Sequence, residues 1–501
     1  MDRVGRDPNR LACSFQGQNW TYAEFARLIV RSRAQLQAWG VRSGDRVAAL
    51  SLGHPLQLAA LFALADLGAI WVPLNFRLAP TEWAQVIDDC QPVCLLADEA
   101  WWSQAQVLVQ SSPLPCRALS ELTRSGHDAD DAPTTIPTPD HSSNDLPVLL
   151  VYTSGTTGRP KGAVHTQSNL LANARAAALA QGMTDNDRVL TLLPLFHVGG
   201  LCIQTLPALL AGASLILHPK FEPDRVFDDL LAHHISLTLM VPAVMKAMIE
   251  HPRFHGASWP HLRALWAGSS VLPDELVLAW LQRGVSVCNV YGATETGPFS
   301  IALGPEHARS HLGSCGWPAL GIEARLDLPA GPNDGVGEVC LRGPAIVRHY
   351  WPQQAALDAD GWFHTGDLAR IGPDQSWRIV GRAKDMIISG GENIYPAEIE
   401  NLLARHPSVL ECAVVGLPDP RWGEQVVAVV VLRPGHWASD EQLLESVQSV
   451  LARYKHPRRW VRLQALPKTA LGKVQKDRLV RLLSERAHTE ATPWEDSPRS
   501  P

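Results

Sequence analysis

The eleven residues Tyr152-Thr153-Ser154-Gly155-Thr156-Thr157-Gly158-Arg159-Pro160-Lys161-Gly162 gather four small hydroxyl side chains, three glycines and two cations. Glycine lets a backbone come close and adopt positive φ, so successive N–H groups can converge on one anion. Hydroxyls add donors, and Lys161 adds a charge that polyphosphate would neutralise. A polar surface loop uses the same residue types. No Gly-Lys-Ser/Thr ending closes the stretch, so it is not a Walker A loop, which disfavours a kinase or P-loop NTPase.

Further stretches carry residues of the same kind. In Asn289-Val290-Tyr291-Gly292-Ala293-Thr294-Glu295-Thr296-Gly297, one strand end delivers an aromatic that can face a base, a glycine, a hydroxyl and a carboxylate. Glu295 suits Mg2+, which takes a few carboxylate oxygens and leaves the rest of its shell to phosphates and water. A solvated glutamate in a turn is the plainer alternative. Gly361-Trp362-Phe363-His364-Thr365-Gly366-Asp367 ends in an Asp placed to bind ribose hydroxyls, although Asp in a turn is common for local backbone reasons. Gly268-Ser269-Ser270 follows a strand, where open α/β sheets place ligands. Pro194-Leu195-Phe196-His197-Val198-Gly199-Gly200 sets a histidine where it can gate or line a pocket, or sit in the core bonded to backbone. Gly381-Arg382-Ala383-Lys384-Asp385, the glycine pair of Ser389-Gly390-Gly391-Glu392-Asn393, and the three lysines of Pro467-Lys468-Thr469-Ala470-Leu471-Gly472-Lys473-Val474-Gln475-Lys476 complete the set. A glycine-preceded lysine can swing onto a distant anion, though most such lysines are solvated.

The elements that must hold these stretches follow from periodicity. Tyr22, Phe25, Ile29, Leu36 and Trp39 are spaced for an amphipathic helix over residues 21–39, and residues 47–50 read as the next strand. A buried helix over 56–67 and a strand over 68–73 continue the pattern. It resumes after Gly162 with a helix over 168–181 and strands over 188–192, 214–217, 237–241, 264–266 and 285–290. Strands alternating with longer helical segments imply a largely parallel sheet with helices on its faces. Glycine-punctuated strands from 316 to 380 suggest a β-rich subdomain. A small α+β pattern follows, with helices over 398–405 and 441–452 and strands over 412–415 and 426–432. Residues 123–145 read as a solvated linker.

The chain has 501 residues, 46% hydrophobic and 19% charged, a soluble globular balance that the length prior divides into two or three domains. A net charge of −6 argues against nucleic acid as a partner. Nine scattered cysteines without a CxxC pair point to reduced thiols and a cytoplasmic protein. Residues 198–217 carry almost no charge but are broken by glycines and a proline, so they read as buried core rather than a membrane span. Peripheral membrane contact stays open for an apolar substrate.

Taken together and in this order, the motifs resemble those of the adenylate-forming superfamily, in its acyl- and aryl-CoA ligase branch. The match runs from about residue 21 to residue 476. The resemblance implies an α/β fold: a large N-terminal domain (1–381) with two parallel-type α/β subdomains and a β-rich one, a hinge at 382–385, a small mobile α+β C-terminal domain (386–485), and a disordered tail (486–501). It implies ATP, Mg2+ and coenzyme A. Motif by motif, Thr153, Ser154, Gly155, Thr156, Thr157, Gly158 and Lys161 would hold the β- and γ-phosphates, Thr294 the α-phosphate and Glu295 the magnesium. Tyr291 would stack on adenine beside Gly292, with Gly268, Ser269 and Ser270 lining the adenine side. Asp367 and Arg382 would bind ribose, and Lys473 would bridge the carboxylate and the α-phosphate. Lys384 occupies the hinge position. Gly390 and Gly391 would flank the pantetheine path, and Trp422, with Tyr454, His456 and Arg458, the CoA nucleotide. His197 joins the catalytic set from the acyl side.

The resemblance also bears on the acid. The segment around Phe196 and His197 lacks the acid that would face an amino group, so an amino acid substrate is not expected. Phe196, His197, Val241, Met245, Trp266 and Phe299 are expected as mostly apolar pocket walls, suited to an aryl or medium- to long-chain acyl group. Transfer to a carrier protein's pantetheine and a nonenzymatic acyl- or nucleotide-binding role are the alternatives. A monomer or homodimer is expected.

Overall fold

The computed structural model describes residues 2–110, 113–123, 145–154, 160–268, 272–328, 335–389, 392–448, 450–469 and 472–489. Gly155, Thr156, Thr157, Gly158, Ser269, Ser270, Gly390 and Gly391 lie outside the described residues, as does nearly all of the expected linker.

Two large sheets dominate. One has nine strands, and six of them are parallel neighbours in the order Val287–Tyr291, Ala264–Gly268, Leu237–Met240, Arg188–Thr191, Ser214–Leu217 and Leu11–Phe15. The other has eight, with a parallel run of Pro147–Ser154, Ile70–Pro73, Arg46–Leu50, Cys94–Ala97 and Cys116–Ala118. The fold is the expected α/β class, but both sheets end in antiparallel strands. The most consequential of these is Pro160–Thr166, which turns back along Pro147–Ser154. Its Pro-Lys-Gly start reads locally as loop, and the tertiary ladder overrides that signal.

The two sheets share one hydrophobic core, in which Val47, Trp71 and Leu149 of one cluster with Val189, Leu215 and Leu237 of the other. Helix Pro55–Leu67 lies in that core, so nine of its thirteen residues are buried. Helix Tyr22–Ala38 starts at a capping box between Thr21 and Glu24, which fixes its end one residue from the sequence expectation. Residues 198–217 are core as expected: a π-helical turn, Leu201–Thr205, runs into helix Leu206–Ala211 and strand Ser214–Leu217.

A four-stranded antiparallel sheet follows, ordered Glu323–Asp327, Val336–Arg342, Phe363–Ile371, Trp377–Arg382. A final five-stranded sheet carries helices Pro396–Leu403, Asp440–Gln448 and Lys476–Thr489. The last helix runs through residues 486–489, four residues into the expected tail, because Leu479 and Leu483 anchor it in an apolar cluster with Val427 and Val429.

Candidate active site

The hairpin of Pro147–Ser154 and Pro160–Thr166 pairs Thr153 with Lys161, and the Thr153 hydroxyl donates to the Lys161 carbonyl at 3.4 Å. Beyond the hairpin, the Lys161 ammonium lies 5.4 Å from the ring centre of Tyr350, a cation–π separation. Tyr350 is held by the pairing of its two-residue strand with Ala163. Its hydroxyl donates to Glu295 Oε1 at 3.0 Å. Burial, with the Glu295 charge second, pushes the Tyr350 hydroxyl well above the ordinary phenol range, so it stays a donor. Tyr350 was not foreseen from sequence, since a two-residue strand has no period to read.

Glu295 sits in the 3-10 turn Thr294–Thr296, with Thr294 buried beside it. The turn is fixed from both sides: the Ala293 N–H donates to Thr296 Oγ1 at 2.8 Å, and the Val347 N–H to the Glu295 carbonyl at 2.9 Å. Upstream, a Cβ on Gly292 would lie 2.2 Å from the Pro298 carbonyl oxygen, and one on Gly268 would lie 2.5 Å from that of Val290. Neither position admits a side chain, because backbone rather than a flexible side chain fills the space.

A second cluster forms around Asp367. Cross-strand register sets it opposite Arg382, whose Nε lies 2.8 Å from Asp367 Oδ1. The Tyr291 hydroxyl, arriving from the nine-stranded sheet, donates to Oδ2 at 2.8 Å. Burial first, then the Asp367 charge, pushes the pKa of the Tyr291 hydroxyl well above the ordinary phenol range, so it stays a donor. Lys473 enters from the C-terminal sheet domain in a turn where the Thr469 N–H donates to the Lys473 carbonyl at 2.7 Å. Lys473 itself is exposed, yet partial desolvation by its neighbours, then the Arg382 charge, lowers its ammonium below the usual lysine range, opposed by Asp367 and Asp385. Lys473 therefore stands within electrostatic reach of the Asp367–Arg382 pair. Lys384, one turn away, pairs with Asp477 at 2.8 Å.

His197 caps the turn Val198–Gly200: the Gly199 N–H donates to its Nδ1 at 3.0 Å. An acceptor Nδ1 puts the ring proton on Nε2. Burial first, then the Arg77 charge, lowers the ring to about 4, so His197 is neutral near pH 7 and presents an N–H. Beside it, Phe76 packs edge-on to Phe196 at 5.1 Å and stacks on Trp101 at 5.6 Å. The expected acyl walls are only partly brought together. Trp266 and Phe299 pack at 5.4 Å within the shared core, whereas Met245 belongs to a separate cluster with Phe254 and Trp280.

In the C-terminal sheet, Trp422 carries two guanidinium groups, Arg458 at 3.9 Å and Arg421 at 4.8 Å from its ring centre. His456 Nε2 meets the Leu451 carbonyl at 2.9 Å.

The arrangement has counterparts among known proteins. Residues 2–351 match the family model of the AMP-binding enzymes, and residues 398–473 that of the AMP-binding enzyme C-terminal domain. This chain belongs to the AMP-binding enzyme family. It is 40% identical over 511 residues to the indoleacetate–CoA ligase of Aromatoleum aromaticum, covering 98% of this chain and 99% of that protein. It is 38% identical to a feruloyl-CoA synthase of an Amycolatopsis species, covering 95% and 96%. The o-succinylbenzoate CoA synthetase of Bacillus subtilis, solved with its acyl-adenylate, superposes with a TM-score of 0.85 at 30% identity, covering 96% and 97%. That synthetase is also solved with ATP and magnesium ion. Like these relatives, the AMP-binding enzyme described here is an AMP-forming acid–thiol ligase.

Proposed function

We propose that this ligase activates an aromatic carboxylic acid, and that the residues gathered around Glu295 and Asp367 carry the chemistry. One observation bears most of the weight: Lys161, Tyr350 and Glu295 converge on one side, and Tyr291, Asp367 and Arg382 on the other, with Lys473 within reach of the Asp367 and Arg382 charges. The first group has the cation and carboxylate that a magnesium–triphosphate needs. The second has the carboxylate, guanidinium and aromatic that a nucleoside needs.

In the first step an oxygen of the acid attacks the α-phosphorus of ATP. The α–β bridging bond breaks, pyrophosphate leaves, and acyl-AMP remains. Thr153, Lys161 and the loop between them hold the departing phosphates, and Thr294 contacts the α-phosphate. Glu295 suits Mg2+ as a hard carboxylate ligand, oriented by Tyr350; the ion, when bound, offsets phosphate charge. Tyr291 faces adenine, and Asp367 with Arg382 receives the ribose. Lys473 spans the carboxylate and the α-phosphate, where charge spreads in the transition state. In the second step the sulfur of CoA attacks the acyl carbon, and the bond from that carbon to the AMP oxygen breaks. Trp422, with Arg421 and Arg458, suits the CoA nucleotide, since a base stacks on an aromatic and cations meet phosphate.

The aromatic assignment rests on the Phe76–Trp101–Phe196 wall beside the neutral N–H of His197, and on relatives that take indoleacetate and ferulate. Among the described residues no helix is long and apolar enough to cross a membrane. Nine free cysteines suit a reducing cytoplasm, where we propose a monomer or homodimer. The test is a kcat/KM series over arylacetates, cinnamates and saturated fatty acids, scored by thioester formation. The aryl acids should lead by more than 10-fold; a fatty acid in the lead would overturn the assignment.

A further inference from the structure

The four-stranded sheet has a second polar constellation, on the face opposite the one that buries Val339 and Leu341. Register sets Asp327 across from Glu338, and Cys340 across from His364, so three neighbouring strands direct side chains to one spot. One ligand atom from each of these four residues lies within 4.8 Å of the other three. Cys340 Sγ is 3.5 Å from His364 Nδ1, and that nitrogen is 3.2 Å from Glu338 Oε2. In a tetrahedral site with bonds of about 2.0–2.3 Å, ligand atoms stand about 3.3–3.8 Å apart. The first distance falls inside that range and the second just short of it.

We propose that Asp327, Glu338, Cys340 and His364 form a site for a divalent metal ion of the zinc class, separate from the magnesium carried by ATP. The surrounding groups fit the assignment. His364 offers Nδ1 inward, while its Nε2 meets Asp358 Oδ2 at 3.2 Å, the outer carboxylate that metal-bound histidines commonly use. Glu338 keeps its other oxygen for the Gly366 N–H at 2.8 Å, which fixes the carboxylate's direction. A histidine clamped between two carboxylates would account for Glu338 and Asp358. It would not account for the buried Cys340 thiol and a further acidic side chain, Asp327, arriving at the same point, where Arg325 also stands across from Cys340. A bound ion would tie together strands Glu323–Asp327, Val336–Arg342 and Phe363–Ile371, the last of which carries Asp367.

The untagged full-length protein, stripped with chelator and kept in excess Mg2+, is titrated with Co2+ alone. One equivalent should bind with tetrahedral d–d bands and a thiolate-to-cobalt charge-transfer band, and one equivalent of Zn2+ should bleach both. Cys340→Ser should abolish the charge-transfer band while ATP-dependent pyrophosphate release shows that it is folded. Asp358→Asn should weaken Co2+ binding by roughly 10- to 100-fold. If Cys340→Ser does not fold, Asp327→Asn, at an exposed position, must show a loss of affinity instead. The absence of a stoichiometric thiolate band in the wild type overturns the proposal. So does a band that persists in folded Cys340→Ser, or an Asp327→Asn protein that binds Co2+ as tightly as the wild type.

Discussion

The Tyr350 hydroxyl donates to Glu295 at 3.0 Å while the face of the same ring meets the Lys161 ammonium at 5.4 Å. One side chain thus orients both the carboxylate proposed for magnesium and the cation proposed for the terminal phosphates. Tyr350→Phe keeps the ring and removes the hydrogen bond. A hydrogen bond to a charged group contributes about 1.5–3 kcal/mol, so pyrophosphate release should slow by roughly 10-fold or more, with a raised KM for Mg·ATP. Unchanged kinetics would show that Tyr350 is only a neighbour.

The role proposed for Lys473 lies where charge moves in adenylation, so its loss should fall on one half-reaction. In Lys473→Ala, acyl-AMP formation should drop by roughly 10²–10³-fold. Thioester formation from supplied acyl-AMP should largely survive. Equal loss of both steps would contradict the role.

The orientation that brings Lys473 to Asp367 is accompanied by contacts between the two large parts of the chain. Arg405 pairs with Asp274 at 3.0 Å, Arg433 with Glu250 at 3.4 Å, and Lys246 donates to the Leu410 carbonyl at 2.7 Å. The two ion pairs are exposed, each contributing at most about 1 kcal/mol and screened by salt. Arg405→Glu should therefore slow adenylation by no more than roughly 5-fold, and Asp274→Arg in the same chain should restore it. An effect that the second change fails to relieve would rule out the pairing as the cause.

Much of this was legible in local patterns, and the exceptions share a cause. The helix over residues 21–39 was readable from the spacing of its apolar residues, because that pattern repeats within a few turns. The motifs around Tyr291, Asp367 and Lys473 were readable because each is a short contiguous run. What joins them was not: Tyr291 reaches Asp367 across 76 positions. Tyr350 sits in a two-residue strand, and strand Pro160–Thr166 begins with residues that signal a loop. Met245 shares the apolar character of Phe299, but helix Pro242–Ile249 turns it into a different core. Long-range pairing and helix rotation decide such cases, and neither leaves a trace in a short window.

Strand Pro160–Thr166 also carries His165, fully buried, with both ring nitrogens lacking a hydrogen-bond partner among the described residues. Burial lowers its folded-state pKa from the ordinary 6.5 to about 4. The folded state then binds fewer protons than the unfolded chain between those values. Its contribution is intact above 6.5 and is lost as pH falls toward 4. Between pH 7 and pH 5 the loss is roughly 2 kcal/mol from this group. His165→Leu should flatten the fall in urea midpoint over that range. An unaltered slope would show that His165 finds a proton partner when it titrates.

The central claim is that the acid's own oxygen attacks the α-phosphorus and that sulfur then displaces AMP. The direct measurement follows 18O from a doubly labelled aryl carboxylate through one complete turnover with ATP and CoA. One labelled oxygen should appear in AMP, one should remain in the thioester carbonyl, and none should enter pyrophosphate. Label in pyrophosphate or inorganic phosphate, or AMP free of label, would contradict the account.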